Sequence, residues 1–417
     1  MTVSAPVGEA AGRGLDGTTP ARPAGGAADA TPASTTLLAA IARYARSLYR
    51  LRRGNHVRLL CAGGETFPAM LAAIAGARRS ICLETYIFEA DRTGRRFGDA
   101  LIDRAAAGVV VRVIYDAIGG FSMADAFVDR LRAAGIQVIE YHPVAPWRAR
   151  FNLSHRDHRK ILVVDDEVGF TGGLNISDDY APVDEGGAGW HDLHCELRGP
   201  VVIDLARLFR RTWLGEGGAP YRAPDYPRED APRPGTIAAR VVDNSKRRRR
   251  GAIRRAYLTA IGSAQRTIWL ENAYFLPDRG MRQALARAVA RGVEVAIIVP
   301  GRNDVRLVKY AGLYVYPKLT ARGVKILVWR GPMMHAKVAC IDEVWTCIGS
   351  YNFDARSLRY NLEVVAEVID DHVGAESARH FAADRAQTDA FDQAVWRRLA
   401  WWQKALAWLA YRIRGWL

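Results

Sequence analysis

Apolar and polar positions alternate along the first half of the chain in a way that predicts helices and strands in turn. FPAMLAAIAGARRSICLETYIF (67–88) is typical of a helix that ends near Gly76, followed by a strand over Ile81–Phe88. FGDALIDRAAAGVVVRVIYD (97–116) predicts a second helix and then a strand over Val109–Tyr115, and DRLRAAGIQVIEY repeats this order. Strands that alternate with helices predict an α/β fold with a largely parallel or mixed sheet.

The same order of elements returns in the second half of the chain. AYLTAIGSAQRTIWLENAYF (256–275) corresponds to AMLAAIAGARRSICLETYIF (69–88), and Glu271 aligns with Glu84. LARAVARGVEVAIIVP corresponds in the same way to LIDRAAAGVVVRVIYD. An internal duplication of this kind predicts two lobes with one fold.

Composition marks the boundaries between these parts. The start of the chain is rich in Ala, Gly, Pro and Thr without an apolar core, which is typical of a disordered tail rather than a signal peptide. APYRAPDYPREDAPRPG, between the halves, contains five prolines and predicts an ordered or semi-rigid linker. The predicted parts are a disordered tail (1–35), a first lobe (36–217) that opens with helical character, a proline-rich linker (218–236), a second lobe (237–392) and an amphipathic helix rich in Trp and Arg (393–417).

Two 18-residue segments, HRKILVVDDEVGFTGGLN (158–175) and HAKVACIDEVWTCIGSYN (335–352), align without a gap but differ at their apolar positions. A single His-x-Lys before an apolar strand is common and says little about function. Two copies that keep the polar residues while the apolar ones change form a pattern that packing alone would not produce. The identical positions are His158/His335, Lys160/Lys337, Asp165/Asp342, Gly172/Gly349 and Asn175/Asn352.

Each copy predicts a buried strand directly after the lysine, because four apolar residues follow it without interruption. Side chains two positions apart share a face of a strand, so the His and the Lys of each copy point the same way. A tight turn after the Asp would return a second strand and bring the Gly and the Asn back to the same edge. Imidazole can act as nucleophile or general acid/base, and Lys and Asn donate to phosphoryl oxygens. The two copies therefore predict a pocket for a phosphodiester that uses no metal and no cofactor.

Charge and cysteine content narrow the class of protein further. The formal net charge of +15 favours anionic partners such as nucleic acid, an anionic membrane surface or a phosphorylated substrate. The five cysteines form no CxxC pair, so we expect reduced, buried thiols in a cytoplasmic protein. The nine histidines show no metal-ligand spacing, and no uncharged apolar stretch of about 18 residues predicts a transmembrane helix.

The duplicated segments resemble a known family. HxKxxxxD followed by six residues and G(G/S)xN, present twice, resembles the phospholipase D superfamily. GSYNFDARSLRYNLEVV in the second half is similar to the corresponding segment of bacterial cardiolipin synthases, as are YIFEADRTGRRFGDAL and GGLNISDDY…WHDLHCELRGP in the first half. The resemblance covers roughly residues 55–370, and the chain is similar to the short form that lacks N-terminal transmembrane helices.

This resemblance implies a fold, a site and a reaction. The implied fold is two tandem phospholipase D-like lobes, each a mixed β-sheet flanked by helices, related by a pseudo-twofold axis with the active site between them. The implied reaction is two successive displacements at phosphorus through a covalent phosphohistidine. We assign His158 as nucleophile and His335 as general acid/base, although the two copies are nearly symmetric. The lysines Lys160 and Lys337 and the motif aspartates Asp165 and Asp342 complete the catalytic set. Asn175 and Asn352 would bind the substrate phosphate.

A nucleophilic imidazole needs an acceptor on its other ring nitrogen. Asp165 and Asp342 lie seven residues after their histidines, at the far end of the strand, so we expect them to hold the geometry of the catalytic motif. Asp192 and Glu363 lie at comparable places in the two repeats. By resemblance, each would orient the histidine of the opposite lobe, Asp192 with His335 and Glu363 with the first-lobe histidine.

Two further segments bear on the substrate. SKRRRRGAIRRAY (245–257) is either a solvated loop with a helix start or a patch for lipid phosphates or nucleic acid. At the C-terminus, VWRRLAWWQKALAWLAYRIRGWL (395–417) contains five tryptophans beside Lys and Arg, which favours a helix at a membrane interface. The alternative is a helix docked on the protein itself or on another subunit. Its apolar stripe comprises Val395, Leu399, Trp402, Leu406, Leu409, Ile413 and Trp416.

Together these features predict a phosphatidyltransferase that makes cardiolipin from phosphatidylglycerol and a second phospholipid. The predicted partners are anionic phospholipids and a membrane surface, contacted through 394–417 and through 246–255, with peripheral attachment at the cytoplasmic face of the cell membrane. A phospholipase D-type hydrolase and a nucleic-acid phosphodiesterase of the same superfamily are the alternatives. A non-enzymatic membrane scaffold is disfavoured because both His-Lys-Asn sets are intact. The segment similar to cardiolipin synthases and the Trp-rich C-terminus disfavour a nucleic-acid substrate. The oligomeric state is left open.

Overall fold

Both halves of the chain place their strands and helices in the same order, in a computed structural model that describes residues 32–45, 50–121, 123–148, 150–227, 233–245 and 250–414. The first half consists of β1 (Arg52–Cys61), α2 (Ala62–Ala75), β2 (Ser80–Thr85), α3 (Arg92–Ala106), β3 (Val110–Asp116), α4 (Asp125–Ala133), β4 (Gln137–Tyr141), β5 (Ile161–Val164), β6 (Val168–Gly172), β7 (Leu193–Arg198) and α5 (Val201–Gly215). The second half consists of β8 (Ile237–Asp243), α6 (Ala252–Ser263), β9 (Thr267–Asn272), α7 (Arg279–Ala290), β10 (Glu294–Pro300), α8 (Arg306–Thr320), β11 (Lys325–Trp329), β12 (Lys337–Ile341), β13 (Trp345–Gly349), α9 (Ala355–Arg359), β14 (Val364–Ile369) and α10 (Asp371–Arg385). Within the described residues, α9 has no counterpart in the first half. The other elements outside this repeat are α1 (Pro32–Tyr44), β15 (Thr388–Ala390), α11 (Gln393–Arg398) and α12 (Trp401–Arg412).

Each half forms one mixed sheet, with the same arrangement of parallel and antiparallel strands. The strand order is β1-β7-β6-β5-β2-β3-β4 in the first half and β8-β14-β13-β12-β9-β10-β11-β15 in the second. The registers also correspond, since Glu84 pairs with Ile161 and Glu271 with Val338. Antiparallel pairing of β1 with β8 joins the two sheets. The predicted pair of mixed-sheet lobes, related by a pseudo-twofold axis, is confirmed.

Three large apolar cores lie between the layers in the described part of the molecule, beside a small cluster where α12 meets α8. One lies between the first sheet and α2, α3 and α4, and another lies between the second sheet and α6, α7 and α8. The middle core contains side chains of both sheets, such as Val163 and Val338, together with Phe209 of α5 and Phe381 of α10. Burial of each such side chain contributes roughly 1.5–3 kcal/mol. The middle core therefore holds the two lobes against each other.

The N-terminal helix packs on the second lobe, although the sequence placed residues 36–217 in the first. Ile41 and Tyr44 of α1 belong to the outer core of the second lobe, and the Tyr44 hydroxyl donates to Asp342 Oδ2 at 2.6 Å. The helix also begins at Pro32, inside the predicted tail, whose residues 1–31 lie outside the described part of the chain. Helical periodicity shows which face is apolar but not which lobe covers it.

The described part of the proline-rich linker lies along the first lobe. The Arg112 guanidinium is 4.0 Å from the centre of the Tyr221 ring, and the Tyr226 hydroxyl donates to Asp204 at 2.6 Å. These contacts give the linker fixed attachment points between α5 and β8. The boundaries predicted for the tail, lobes and linker otherwise stay predictions.

The C-terminal segment is two helices, so the prediction of one continuous amphipathic helix over 393–417 is wrong. Leu399 and Ala400 have extended backbone and separate α11 from α12. α12 packs on α8 through its small buried residues Ala407 and Ala410. The opposite face of α12 is exposed and comprises Trp401, Trp402, Trp408, Leu409 and Ile413. Among the described residues, no helix combines the length and apolarity needed to cross a membrane.

Candidate active site

Each motif folds as a β-hairpin whose turn contains the motif aspartate. Asp165 and Asp166 join β5 to β6, and Asp342 and Glu343 join β12 to β13, all with φ between 54° and 59°. Two successive residues with positive φ are typical of a type I′ turn, which favours Asp. The turn returns β6 and β13 beside the strand that follows each histidine, so both ends of the motif meet at one edge.

The motif aspartates bind backbone amides and not the histidines. Asp165 accepts from the N–H groups of Arg78, Arg79 and Ser80 at 2.7–2.8 Å, just before β2, and Asp342 accepts three equivalent amides before β9. Burial alone would raise the pKa of both carboxyl groups, but the hydrogen bonds outweigh it and hold each pKa below its usual range. These aspartates fix each hairpin to the adjacent strand.

The motif glycines let each hairpin lie close to the next strand. A Cβ atom on Gly172 would lie 2.6 Å from the Cα of His194, and one on Gly349 would lie 2.2 Å from the carbonyl oxygen of Val364. Real Cβ contacts are not this short, so any side chain would displace β6 from β7 or β13 from β14.

Each motif histidine contacts a carboxylate from the opposite lobe. His158 Nδ1 lies 3.1 Å from Glu363 Oε2, and His335 Nδ1 lies 2.8 Å from Asp192 Oδ2. An ionised carboxylate only accepts hydrogen bonds, so it favours the ring tautomer with the proton on Nδ1 and a free lone pair on Nε2. The structure thus brings together the two pairs that the family resemblance implied.

Backbone bridges between the lobes position these carboxylates. The His158 N–H donates to the Leu362 carbonyl at 3.0 Å, and the His335 N–H donates to the His191 carbonyl at 2.7 Å. In each case the residue after the acceptor provides the carboxylate that meets the histidine. The imidazole and its acceptor are therefore held by the same short piece of backbone pairing.

Sequence reasoning missed other groups that hold the two pairs. The Ser350 hydroxyl donates to Glu363 Oε2, and the Tyr180 hydroxyl oxygen lies 3.1 Å from His335 Nδ1. Asn175 Nδ2 donates to the same Tyr180 oxygen at 2.8 Å. The sequence places Tyr180 five residues after the motif asparagine, but that spacing does not predict which way the tyrosine side chain points.

The lysines of the two motifs are buried beside the histidines. Lys160 Nζ donates to the His158 carbonyl at 2.9 Å, and Lys337 Nζ donates to the His335 carbonyl. Burial lowers the pKa of Lys160 to about 7 and that of Lys337 to about 8. Each ammonium group has further N–H donors, and an anionic phosphoryl group would favour its charged form.

Burial also favours the neutral form of both histidines before a substrate is bound. It lowers the pKa of His158 and, to a larger extent, that of His335, and the neighbouring lysines lower both further. The same burial raises the pKa of Asp192 to about 7. A neutral imidazole with a free Nε2 lone pair can attack phosphorus or accept a proton, so both histidines suit nucleophilic or acid–base chemistry.

Both histidines line one cleft of about 450 Å³ between the lobes. Asn175 and Asn352 line it as well, and Asn352 Oδ1 has no hydrogen-bond partner among the described residues. Aromatic rings surround the imidazoles, with Tyr86 in an edge contact 5.0 Å from His158. Further lining residues that the motif did not reveal are Arg156, Trp190, Tyr274, Asp304, Asp354 and Arg356.

Two mixed-sheet lobes that each contribute a His and an Asn to one cleft, with a buried Lys bonded to the carbonyl of each His, define a phospholipase D-like protein. Residues 70–184 and 257–385, one segment in each lobe, match the family described as cardiolipin synthase, PLD-like domain. The chain belongs to this family.

Two relatives and one solved structure show how far the similarity extends. The chain is 35% identical to cardiolipin synthase 2 of Bacillus anthracis over 317 residues, which are 76% of this chain and 62% of that protein. It is 34% identical to cardiolipin synthase A of Pseudomonas aeruginosa (strain LESB58), over 83% of this chain and 71% of that protein. A crystal structure of phosphatidylserine synthase from Haemophilus influenzae Rd KW20 superimposes with a TM-score of 0.66 at 13% identity, covering 91% of this chain and all of that one. This last similarity supports the fold.

Proposed function

We propose that this protein is a phosphatidyltransferase that forms cardiolipin from phosphatidylglycerol and a second phospholipid through a covalent phosphohistidine. The observation that carries the proposal is the pair of histidines in one cleft, each with its Nδ1 against a carboxylate of the opposite lobe. The relatives described above are named cardiolipin synthases, which supports a phospholipid substrate.

In the first step, Nε2 of His158 attacks the phosphorus of the donor lipid. A phosphorus–nitrogen bond forms and the bond to the headgroup oxygen breaks. His335, which Asp192 and the anionic phosphoryl group of the bound donor would hold as the imidazolium in this step, gives its Nε2 proton to the departing alkoxide. In the second step, His335 removes the proton from the acceptor hydroxyl, the terminal glycerol hydroxyl of phosphatidylglycerol. The alkoxide attacks phosphorus, the phosphorus–nitrogen bond breaks, and both histidines return to their starting states.

The lysines and asparagines would stabilise the phosphoryl oxygens during both steps. Lys160 and Lys337 are buried, so their N–H donors act in a medium of low dielectric where charge stabilisation is strong. Asn175 and Asn352 lie in the same cleft. Glu363 and Asp192 would stabilise the imidazolium that each histidine becomes when it holds an extra bond or proton.

Apolar side chains around the mouth of the cleft favour a lipid substrate. Ile118, Leu153 and Val305 line the cleft and are also partly exposed, and Phe121 and Trp147 are strongly exposed on the same loops. Acyl chains would cover such residues, whereas a polynucleotide backbone favours cationic and polar ones.

Arginines outside the cleft fit an anionic acceptor lipid. Arg250, Arg255 and Arg359 line an open groove of about 720 Å³, together with Arg254, which pairs with Asp278. Leu358 and Tyr360 of the groove adjoin Arg356 and Asn361 of the cleft along the chain. The rest of the basic segment, 246–249, lies outside the described residues.

Product analysis tests the proposal. Purified protein is incubated with labelled phosphatidylglycerol in mixed vesicles, and lipids are separated from the water phase. Cardiolipin and free glycerol in equal amounts are the expected products. Phosphatidic acid without cardiolipin would instead assign a phospholipase D-type hydrolase, and cleavage of a labelled oligonucleotide alone would assign a nucleic-acid phosphodiesterase.

We also propose that the exposed face of α12 attaches the protein to anionic membranes. Replacing Trp401, Trp402 and Trp408 together with Ala should weaken binding to phosphatidylglycerol vesicles by about tenfold or more, because three large apolar groups lose their place at the interface. Co-sedimentation with vesicles measures this. The triple Phe variant, which keeps apolar area, is the matched control and should bind nearly as the native chain does. Equal binding of the Ala variant would refute this surface.

A further inference from the structure

Each lobe has a buried glutamate at the same position of its sheet, but the groups around the two glutamates differ. Glu84 in β2 and Glu271 in β9 occupy equivalent positions, as their pairing with Ile161 and Val338 shows. Both are buried, with exposed fractions of 0% and 3%. A buried carboxylate is costly unless a cation or several donors compensate its charge, so each position needs a compensating group.

In the first lobe an arginine of the motif supplies the compensating charge. Arg159 Nη1 lies 3.0 Å from Glu84 Oε1, and both side chains are fully buried. The corresponding residue of the second motif is Ala336, as HRK against HAK shows. The second lobe has thus lost the guanidinium while keeping the carboxylate.

A second carboxylate and an imidazole lie where that guanidinium would be needed. Asp384 of α10 and His191 approach Glu271, and ligand atoms of the three side chains all lie within 4.8 Å of one another. His191 Nε2 is 2.7 Å from Asp384 Oδ2, while Glu271 Oε2 has no hydrogen-bond partner within the described part of the chain. Among the described residues no Arg or Lys forms an ion pair with either carboxylate. Two acidic groups therefore share one imidazole in a buried place.

We infer that His191, Glu271 and Asp384 bind a divalent transition-metal ion, which takes the place that the Arg159 guanidinium has in the first lobe. One imidazole nitrogen and two carboxylates form a ligand set that suits Zn²⁺. Glu271 Oε2 supplies a ligand atom that no donor of the described residues uses. None of the three side chains lines the catalytic cleft, so the ion is structural and takes no part in the phosphoryl chemistry.

This ion would stabilise the backbone that positions one half of the catalytic site. The His191 carbonyl accepts the N–H of His335, and the next residue, Asp192, contacts the His335 imidazole. The Trp329 ring stacks on the His191 imidazole at 4.9 Å and limits its movement. Binding of the ion can be measured without the transferase assay, so its failure is distinct from failure of the proposed function.

Titration of the full chain with Co²⁺ tests the inference directly. Protein prepared without a polyhistidine tag is dialysed against a chelator and then titrated while visible absorbance is recorded. We expect saturation at one ion per chain, displacement of the bands by Zn²⁺, and a higher unfolding temperature with Zn²⁺ than after chelation. Absence of saturable binding would overturn the inference and leave a proton shared between the two carboxyl groups.

Two variants and a symmetric control assign the ion to this place. Glu271→Gln and His191→Gln should each weaken Co²⁺ binding by about tenfold or more. Glu84→Gln removes the equivalent carboxylate of the first lobe and should leave Co²⁺ binding unchanged. His191 is partly exposed, so its variant decides the matter if Glu271→Gln does not fold. Native-like Co²⁺ binding in His191→Gln, or an equal loss in Glu84→Gln, would place the ion elsewhere.

Discussion

His158→Ala is expected to abolish cardiolipin formation, with a loss of at least about 10⁴-fold in kcat, because the variant lacks the Nε2 atom that we assign as the nucleophile. His335→Ala is expected to be equally inactive on phosphatidylglycerol, since the glycerol alkoxide cannot leave without a proton. The two variants therefore look alike with the natural substrate.

A donor lipid with a p-nitrophenyl headgroup separates the two roles. Nitrophenolate leaves without protonation, so His335→Ala should still release it in a burst of about one equivalent per protein and then stop. His158→Ala should show no burst. Stopped-flow absorbance at the nitrophenolate band measures the burst in each variant, and circular dichroism checks that each variant is folded. A burst from His158→Ala and none from His335→Ala would reverse the assignment of nucleophile and acid/base.

Removing either cross-lobe carboxylate is expected to lower kcat by roughly 10²–10⁴-fold with little change in KM. Glu363→Gln and Asp192→Asn keep size and shape, but an amide no longer selects the Nδ1-protonated ring or stabilises the imidazolium. Because Glu363 contacts His158, its variant should lose the nitrophenolate burst. Asp192→Asn should keep the burst and lose turnover, as expected for the partner of His335.

Glu367→Gln is the matched control for these variants. Glu367 lies on β14, four residues after Glu363, and it is buried and paired with Arg240 at 2.7 Å without touching a histidine. Its loss should lower the unfolding temperature and leave kcat near the native value. Full turnover in Glu363→Gln or Asp192→Asn would show that these carboxylates do not orient the histidines.

Much of the fold and of the candidate site follows from local sequence. Periodicity placed the two strands that it bounded, Ile81–Phe88 and Val109–Tyr115, within a few residues of the observed β2 and β3. Duplication of the order of elements implied two similar lobes. The paired motif identified His158, Lys160 and Asn175 with their second-lobe partners. It could do so because the His-x-Lys spacing on a strand and the turn at the Asp are set by short-range geometry. Resemblance to a family, rather than geometry, suggested Asp192 and Glu363.

Contacts between distant parts of the chain were decided by the tertiary structure alone. Periodicity cannot tell which surface covers an apolar face, so it put α1 on the wrong lobe and joined α11 to α12 across the extended backbone at Leu399. Tyr180 contacts His335 of the other lobe, and residues so far apart in sequence give no local signal of that contact. The second motif has Ala336 where the first has Arg159, and the consequence of this difference follows only from the proximity of Glu271 and Asp384 in the folded chain.

The sequence by itself determined the chemistry that each half presents, through residue types and spacings along single strands. The tertiary structure decided how the halves complete each other, because each histidine meets its carboxylate across a lobe interface and not along the chain.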